Sequence, residues 1–406
     1  MDEFERAAQT EETEEKKPKK EKKKRRRSRL EQRIRRMLAF VVTVALILCA
    51  VYVVANWDNF NADSLKRLIS YHSLSSGAGG QAENYSFHGD ASSSIAMVDG
   101  NLLVCSTGEL QIYLRNGDTA VSQAVSMQKP VIDTAGDYAV AYDAGGTELY
   151  LIYRNEVRQS FTAKEGQEIL SARVNSSGYV TLVQQATGYK ASSTVYDTSF
   201  KALVTENISS SFTMDAALSP DNRTLALVSV GEDSSGFDSV VIFYNVSDGQ
   251  EKGRCALGSD VVLDLNWSTD GLWCIGGYGT YLIQNCALTA SYVDSTRFLQ
   301  NFSLGGDGYA ALFFNKYQGG SAGSLTVLDA KGTELSVGVN EEVLSISAAG
   351  DYIGVLTANS LTIYKAEDLS VYAGTDNSNG ARRVILQADG SALMVATSTA
   401  QLFVPQ

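Results

Sequence analysis

Hydrophobic residues follow two contrasting patterns along this chain. Residues 37–55 form an apolar run without a charged side chain, whereas from about residue 90 short alternating segments are separated by turns rich in Gly, Asp and Asn. Roughly 19 apolar residues, at about 1.5 Å each in a helix, are enough to cross a hydrocarbon core of about 30 Å. Alternation with a period of two indicates β-strands. The pattern therefore predicts a membrane-spanning helix followed by an all-β domain.

The alternating region repeats one unit. Turns that join the first and second predicted strands of each unit occur at 99–101, 135–137, 176–178, 220–222, 269–271, 306–308, 349–351 and 388–390. They recur about every 40 residues, the period of a four-stranded propeller blade. A pair of sandwiches or a solenoid would not repeat a turn at this spacing. The sequence predicts an all-β, eight-bladed β-propeller, with a seven-bladed ring as the alternative.

The last unit ends two residues after its third predicted strand, so it lacks a fourth. Segment 84–88 alternates correctly and has no other partner, and we predict that it supplies this strand and closes the ring, which leaves no free edge. The predicted organisation is a basic disordered cytoplasmic tail (1–36), a transmembrane helix (37–55), a juxtamembrane helix with a Gly/Ser linker (56–82), and an extracytoplasmic propeller (83–406).

Charge is distributed unevenly about the apolar run. Residues 1–36 carry 15 Lys/Arg against 9 Asp/Glu, whereas the rest of the chain carries 19 against 37. By the positive-inside rule, this places the N-terminus in the cytoplasm and the propeller outside. A cleaved signal peptide is the competing interpretation, but the apolar run exceeds a typical signal core. The acidic body argues against nucleic-acid binding by the propeller.

The segment after the apolar run predicts a short helix at 65–71, because Leu65, Leu68 and Ile69 have helical spacing. We expect this helix at the membrane interface or on the base of the β-domain. The basic tail has two interpretations, one in which it only sets topology and attracts anionic lipid, and one in which it recruits a cytoplasmic partner.

Residues that carry common chemistries are scarce. His72 and His88 are the only histidines and both precede the first blade, which excludes a Ser-His-Asp triad or a His-based metal centre within the blades. Carboxylates are plentiful, but most stand at turns where Asp is favoured for local hydrogen bonding; they include Asp133, Asp137, Asp143, Asp215, Asp264, Asp307 and Asp351. The sequence supplies no catalytic, cofactor or metal residue, and the binding residues stay unknown.

The cysteines and glycine clusters give no ligand signature. Cys105, Cys255, Cys274 and Cys286 are scattered without metal-ligand spacing, and pairing of Cys255 with Cys274 or Cys286 is left open. The Gly-rich stretches 276–279 and 319–323 do not join a strand to a helix, as a phosphate-binding loop requires. We interpret them as hairpin turns or loops.

Two segments carry a family resemblance. Residues 219–227, with Ser219-Pro220-Asp221-Asn222, and residues 267–273, with Trp267-Ser268-Thr269-Asp270-Gly271, resemble the turn and following strand of WD40-like and TolB-like propeller repeats. The whole layout resembles an uncharacterised family of single-pass membrane proteins of Gram-positive clostridia. That resemblance implies the topology and the propeller and supplies no site residue.

Three functions fit these features. The first is an extracytoplasmic interaction scaffold at the cell envelope, in which loops such as 230–238 and 314–324 contact an envelope protein or glycan. The second is a hydrolase-type envelope enzyme that uses carboxylates facing the channel. The third is a tether whose tail recruits a cytoplasmic partner. The sequence favours a non-enzymatic scaffold without a cofactor, with the bilayer and one envelope component as partners, and leaves the oligomeric state open.

Overall fold

The structure is a computed structural model, and it describes residues 36–38, 40–44, 67, 81–90, 92–233 and 236–405. The chain divides into two compact units, residues 1–61 and 62–406. In the first unit, the described residues are helical and exposed. Within the described residues, no helix has the length and apolar character needed to span a bilayer. The predicted tail, most of the apolar run and most of the juxtamembrane segment lie outside the described residues, so the span at 37–55 stays a prediction.

The second unit contains 32 described strands in eight four-stranded antiparallel sheets, which confirms the eight-bladed β-propeller and excludes the seven-bladed alternative. Blade 1 comprises β2 (Ser94–Val98), β3 (Asn101–Cys105), β4 (Glu109–Tyr113) and β5 (Thr119–Ala124), and blade 2 comprises β6 (Pro130–Ala135), β7 (Tyr138–Asp143), β8 (Glu148–Tyr153) and β9 (Glu156–Thr162). Blade 3 comprises β10 (Ile169–Val174), β11 (Val180–Ala186), β12 (Tyr189–Tyr196) and β13 (Ala202–Ile208), and blade 4 comprises β14 (Phe212–Leu218), β15 (Thr224–Asp233), β16 (Gly236–Asn245) and β17 (Glu251–Gly258).

The second half of the ring repeats the same order. Blade 5 comprises β18 (Val262–Trp267), β19 (Leu272–Gly276), β20 (Gly279–Gln284) and β21 (Ala287–Val293), and blade 6 comprises β22 (Phe298–Ser303), β23 (Tyr309–Asn315), β24 (Gly323–Asp329) and β25 (Glu334–Val339). Blade 7 comprises β26 (Val343–Ala349), β27 (Tyr352–Thr357), β28 (Leu361–Lys365) and β29 (Val371–Thr375). Blade 8 comprises β30 (Arg383–Leu386), β31 (Ala392–Val395), β32 (Thr399–Phe403) and, at its outer edge, β1 (Gln81–Ser86).

All eight predicted turns lie between the first and second strands of a blade. Each contains a residue with positive φ, which is glycine in seven blades and Asn222 in blade 4. At Gly178, a Cβ atom would lie 2.5 Å from Cε1 of Tyr138, so both the conformation and the close approach require glycine. These turns let the chain reverse direction beside the neighbouring blade.

The order of strands defines two ends of the ring. Antiparallel meanders place the turns after the first and third strands at one end, which we name the ab face. The turns after the second strand and the connections between blades lie at the other end, which we name the bc face. The predicted loops 230–238 and 314–324 both belong to the bc face, in blades 4 and 6.

Ring closure is confirmed, with a correction to the bounds of the closing strand. Strand β1 pairs with β32, with Tyr85 opposite Ala400 and Ser86 opposite Thr399. It covers 81–86 rather than 84–88, because its partner strand β32 begins at Thr399, opposite Ser86. The amide of the buried Phe87 still donates to the Ser398 carbonyl at 3.0 Å, just beyond the paired strands. His88 therefore lies beyond the strand, where its amide donates to the Tyr113 hydroxyl at 2.9 Å.

The core consists of apolar layers between neighbouring blades. One such layer packs the second and third strands of blade 1, including Leu103 and Ile112, against Ala139 and Ala141 of blade 2. Full burial of a side chain the size of leucine contributes about 2–3 kcal/mol, and the layer recurs around the ring. Each blade is therefore stabilised chiefly by its two neighbours.

One residue of the predicted helix at 65–71 is described. Arg67 is helical and 5% exposed. It donates to the carbonyl oxygen of Asp389 and, at 2.6 Å, to the Tyr372 hydroxyl, and its guanidinium lies 5.6 Å from the centre of the Tyr372 ring. Arg67 thus contacts the ab face of blades 7 and 8, and the rest of the predicted helix lies outside the described residues.

Candidate functional site: the channel and the bc face

The first strands of five consecutive blades, 3 to 7, carry a β-bulge near the bc face. A bulge interrupts the period of two, so that two successive residues oppose one residue of the partner strand. The bulged residues are Leu170, Met214, Leu263, Gln300 and Leu344. In blades 3, 4 and 5 they are exposed apolar side chains, and each is followed by a polar one.

The polar residues that follow these bulges contribute to a charged cluster in the channel, which we name the Arg173 cluster: Asp133, Arg173, Asp215 and Asp264. The Arg173 side chain, 20% exposed, donates from Nε to Asp215 Oδ2 at 2.7 Å. Its Nη2 donates to Asp264 Oδ1 at 2.5 Å, and Nη1 lies 3.7 Å from Asp133 Oδ1. The first strands of four blades are thus joined through one guanidinium.

The Arg173 cluster holds more negative than positive charge. Burial alone would lower the pKa of Arg173, but the charges of Asp215, Asp264 and Asp133 raise it well above its usual value. Burial raises the pKa of Asp133 to about 6, although Arg173 opposes that rise. Asp133 also accepts a hydrogen bond from the Val174 amide at 2.9 Å. The cluster therefore takes up a proton near pH 6.

Direct hydrogen bonds between the first strands of adjacent blades join every seam of the ring. The other seven seams carry bonds of two kinds. Backbone amides of Ile132, Ala348, Val384 and Leu386 donate to the hydroxyls of Ser94, Ser303, Ser345 and Ser347, respectively. Side chains of Ser171, Trp267, Asn266 and Arg383 donate to the Asp215 carboxylate and to the carbonyls of Ala217, of Leu304 just after β22, and of Ile95, respectively. The Arg173 cluster is the charged part of this ring of links, in blades 2 to 5. Its first role is to hold the inner strands in register.

The carboxylates singled out in the sequence separate into two groups. Asp133, Asp215 and Asp264 meet in the channel, whereas Asp137, Asp307 and Asp351 stand at turns on the ab face. Asp143 is buried and accepts from the amides of Gln128 and Lys129. Arg173 occupies the space between the channel carboxylates, so these do not form an open pair for acid-base chemistry. Sequence reasoning missed Arg173, because nothing in its local context marks it.

The bc face of blades 3 to 6 carries an exposed apolar surface, which we name the bc patch. Of the 15 large hydrophobic residues exposed in the described part of the propeller, 11 lie there; the other four are Leu203, Leu288, Leu335 and Val371 on outer strands. The patch comprises Leu170, Tyr189, Phe212, Met214, Phe237, Val261, Leu263, Tyr278, Val293, Phe298 and Tyr317. Exposed apolar side chains concentrated on one end of a folded domain are typical of an interaction site.

Charged residues surround the bc patch, and acidic ones outnumber basic ones. The acidic residues are Glu165, Glu168, Glu232, Asp238, Asp294, Glu341 and Glu342, and the basic residues are Lys164, Lys190, Arg297 and Lys316. Two of the cations cover aromatic rings of the patch, since Lys190 Nζ lies 4.4 Å from the Phe212 ring centre and Lys316 Nζ lies 5.6 Å from that of Tyr317. The rim therefore leaves an excess of negative charge for a partner.

The described residues give no support for a metal-binding site or for a nucleophilic cysteine. Within them, no group of three or more His, Cys, Asp or Glu side chains is arranged to hold a metal ion. Cys105, Cys255, Cys274 and Cys286 are free thiols, which answers the pairing question left open by the sequence. Burial raises the pKa of Cys105 to about 12 and also raises the pKa of Cys255, so these thiols are poor nucleophiles. His72 and Cys49 lie outside the described residues.

The fold and these surfaces define an eight-bladed β-propeller whose first strands are joined by hydrogen bonds around the channel and whose bc face carries exposed apolar side chains in blades 3 to 6. The chain belongs to a family of unknown function, DUF5711, which it matches over residues 81–401. No curated protein sequence matches this chain.

Solved structures show the same fold at low sequence identity. The chain is similar to Sqt1 of Saccharomyces cerevisiae, with a TM-score of 0.59 and 12% identity over 81% of this chain and 100% of that one. It is also similar to the computationally designed Ika8 protein, with a TM-score of 0.58 and 12% identity over 79% and 98% of the two chains. For the C-terminal WD40 domain of Sif2, the TM-score is 0.56 at 12% identity, over 82% and 99%. These likenesses confirm the WD40-like propeller fold alone.

Proposed function

We propose that this protein is an interaction scaffold that binds a protein partner through the bc patch. The observation that carries this proposal is the concentration of exposed apolar side chains on one end of four consecutive blades. Phe237 is 68% exposed, Tyr317 65% and Leu263 56%, and all three lie on that end. Leaving such groups in water is unfavourable, and burying them against a partner would yield about 25 cal/mol per Å².

The composition of the bc patch favours a protein over a glycan. Leu170, Met214 and Leu263 offer no hydrogen bonds to sugar hydroxyls, whereas aromatic and methionine side chains are enriched at the centres of protein interfaces. The acidic rim favours a partner segment with apolar anchors flanked by Lys or Arg. The same rim disfavours an anionic membrane surface as the occupant.

Site-specific photocrosslinking in cells that produce the protein tests this proposal. A photoreactive residue at Phe237 or Tyr317 is expected to capture the same protein, whereas one at Val371, 65% exposed on an outer strand of blade 7, is not. The captured protein, once purified, is expected to bind at least tenfold more weakly to the double variant Phe237→Ser, Leu263→Ser than to Val371→Ser. Equal binding to both variants, or adducts with lipid only, would contradict the proposal.

We also propose that the propeller is held at a membrane by the apolar run 37–55, with the N-terminus cytoplasmic and the propeller at the cell envelope. The support is the uncharged 19-residue run and the basic residues that precede it. Protease added to intact cells is expected to cleave propeller loops and to spare an epitope placed before residue 30. A protected propeller would refute this orientation. Recruitment of a cytoplasmic partner by the tail stays a prediction.

A further inference from the structure

Arginine side chains occupy two of the grooves between blades on the ab face. Between blades 1 and 2, Arg154 Nη2 lies 3.0 Å from Asp137 Oδ2, and Nε lies 3.8 Å from Asp99 Oδ2. Asp99 and Asp137 belong to the first turns of the two adjacent blades. Arg154 itself belongs to the turn after the third strand of blade 2, and its guanidinium lies 5.1 Å from the Tyr153 ring centre. One guanidinium therefore bridges two blades through their turn carboxylates.

The second occupied groove lies between blades 7 and 8. Arg67, which is not part of any blade, enters it and contacts Tyr372 and the backbone of Asp389. Tyr372, which lies beside Arg67 in this groove, also packs at a tilt against Tyr352, with ring centres 4.6 Å apart. The ab face thus accepts an arginine from a blade in one groove and from a segment outside the blades in another.

The groove between blades 6 and 7 has the same carboxylates without the arginine. Asp307 and Asp351 stand in the first turns of these blades, as Asp99 and Asp137 do in blades 1 and 2. The position of Arg154 is taken by Ala366. The equivalence is fixed by the backbone, because the Arg154 amide donates to the Asp137 carbonyl at 2.8 Å and the Ala366 amide donates to the Asp351 carbonyl at 2.8 Å.

The floor of this groove is open as well. In blade 7, Tyr372 is the extra residue of a bulge in the outer strand, between Val371 and Ala373. The outer strand of blade 6 pairs without a bulge, so it has no residue at the position of Tyr372, and Leu335 lines the groove instead. The groove forms a cavity of about 570 Å³ that Tyr309, Asp329, Lys365 and Glu367 also line. Four carboxylates therefore face one ammonium group.

The carboxylates of this groove have not been neutralised from within the described chain. No ion pair joins Asp307 or Asp351 to a cation among the residues that the structure describes. Tyr309 forms the inner wall, and its hydroxyl donates to the Tyr352 carbonyl at 2.8 Å. Burial raises the pKa of Tyr309, and the charges of Asp351 and Asp307 add to that rise. An aromatic wall beside paired carboxylates suits a planar cation.

We propose that the groove between blades 6 and 7 is a binding site for an arginine side chain of a partner polypeptide. The guanidinium bridges Asp307 and Asp351, as Arg154 bridges Asp99 and Asp137, and the aliphatic stem lies against Leu335 and Tyr309. This site is at the opposite end of the ring from the bc patch, so either proposal can fail without the other.

Binding of an arginine probe, to the unmodified protein and to a variant that places its own arginine in the groove, tests the site. The purified full-length protein is titrated with the amide of N-acetylarginine and with the matching citrulline amide, which has the same shape without the charge, and ligand binding is followed by NMR. The arginine probe is expected to bind at least tenfold more tightly than the citrulline probe. In Ala366→Arg, the new guanidinium occupies the groove, and affinity for the arginine probe is expected to fall at least tenfold.

Two further variants complete the test. Ser247→Arg adds the same charge to an exposed turn of the ab face in blade 4 and is expected to leave binding unchanged. Asp351→Asn, at an exposed residue, is expected to weaken binding at least fivefold and serves if Ala366→Arg does not fold. The proposal is overturned if neither probe binds, if citrulline binds as well as arginine, or if Ala366→Arg and Asp351→Asn both bind like the unmodified protein.

Discussion

Replacement of Arg173 by methionine removes the one cation of the Arg173 cluster while it keeps most of the side-chain volume. Asp133, Asp215 and Asp264 then share the channel without a counter-charge. Their side chains are 26%, 17% and 31% exposed, so water screens them only in part. The variant also loses the bond from Nη1 to the Leu265 carbonyl at 2.9 Å.

The expected loss of stability follows from burial and distance. Removal of one partner from a buried ion pair costs about 3–5 kcal/mol. Because the carboxylates here retain some exposure, we expect the lower end, about 3 kcal/mol at pH 7.5. Without Arg173, the three carboxylates bind protons more readily in the folded state than in the unfolded state. Stability of the variant therefore falls as pH rises, and its deficit against the unmodified protein is smaller at pH 4.5 than at pH 7.5.

Urea unfolding at both pH values measures this difference. The control is Arg254→Met, which breaks the 2.6 Å pair with Glu251 at a side chain 60% exposed and is expected to cost less than about 0.5 kcal/mol. Adding Asp133→Asn, Asp215→Asn and Asp264→Asn to Arg173→Met is expected to recover part of the loss. An Arg173→Met variant that matches the unmodified protein at pH 7.5, or that loses the same amount at both pH values, would refute this account.

Three shorter predictions address the cluster, the closure and the turns. Because burial raises the pKa of Asp133 to about 6 in the folded state, this carboxyl disfavours folding increasingly as pH rises from about 4 to about 6. The free energy of unfolding of Asp133→Asn, measured by urea titration, is therefore expected to exceed that of the unmodified protein by on the order of 2 kcal/mol at pH 8 and by almost nothing at pH 4. Removal of residues 1–86, which include the closing strand, is expected to lower the melting temperature and to promote aggregation through the exposed edge of β32. A chain that starts at residue 81 keeps this strand and is expected to keep the fold. Calorimetry measures the melting temperature of the two chains, and light scattering measures their aggregation. Gly178→Ala, whose methyl group would meet the Tyr138 ring, is expected to cost more than 2 kcal/mol, against about 1 kcal/mol for Gly145→Ala, where no atom lies within 4 Å.

The architecture could be predicted from the sequence because its determinants are local. A turn that recurs about every 40 residues marks each blade in the sequence. The last unit has only three predicted strands, which indicates that the N-terminal segment supplies the fourth. The first and last residues of that strand were harder to predict from the sequence. The strand ends at Ser86 because its partner begins at Thr399, and that register is set by the pairing with β32, which the alternation of residues 84–88 does not reveal.

The sites could not be predicted because they arise between blades. Asp133, Arg173 and Asp215 are about 40 residues apart in sequence and meet only when their strands share the channel. Bulges add a second obstacle, since alternation would assign Met214 and Asp215 to opposite faces of the sheet, whereas the bulge re-aims them. Part of the bc patch could be predicted, because the sequence indicates its glycine-rich hairpin loops. The first-strand residues that complete the patch could not be predicted in this way.

The bulges also explain why the charged cluster and the apolar patch overlap in blades 3, 4 and 5. In blades 3, 4 and 5 the bulge exposes Leu170, Met214 and Leu263 near the bc face and sets the next residue deeper, where Asp215 and Asp264 reach Arg173. Blade 6 keeps the bulge with Gln300 and Asn301, so it contributes neither charge nor an apolar bulge residue to the channel. The Arg173 guanidinium therefore joins the first strands of blades 3, 4 and 5, which are the strands that carry the apolar bulge residues of the bc patch.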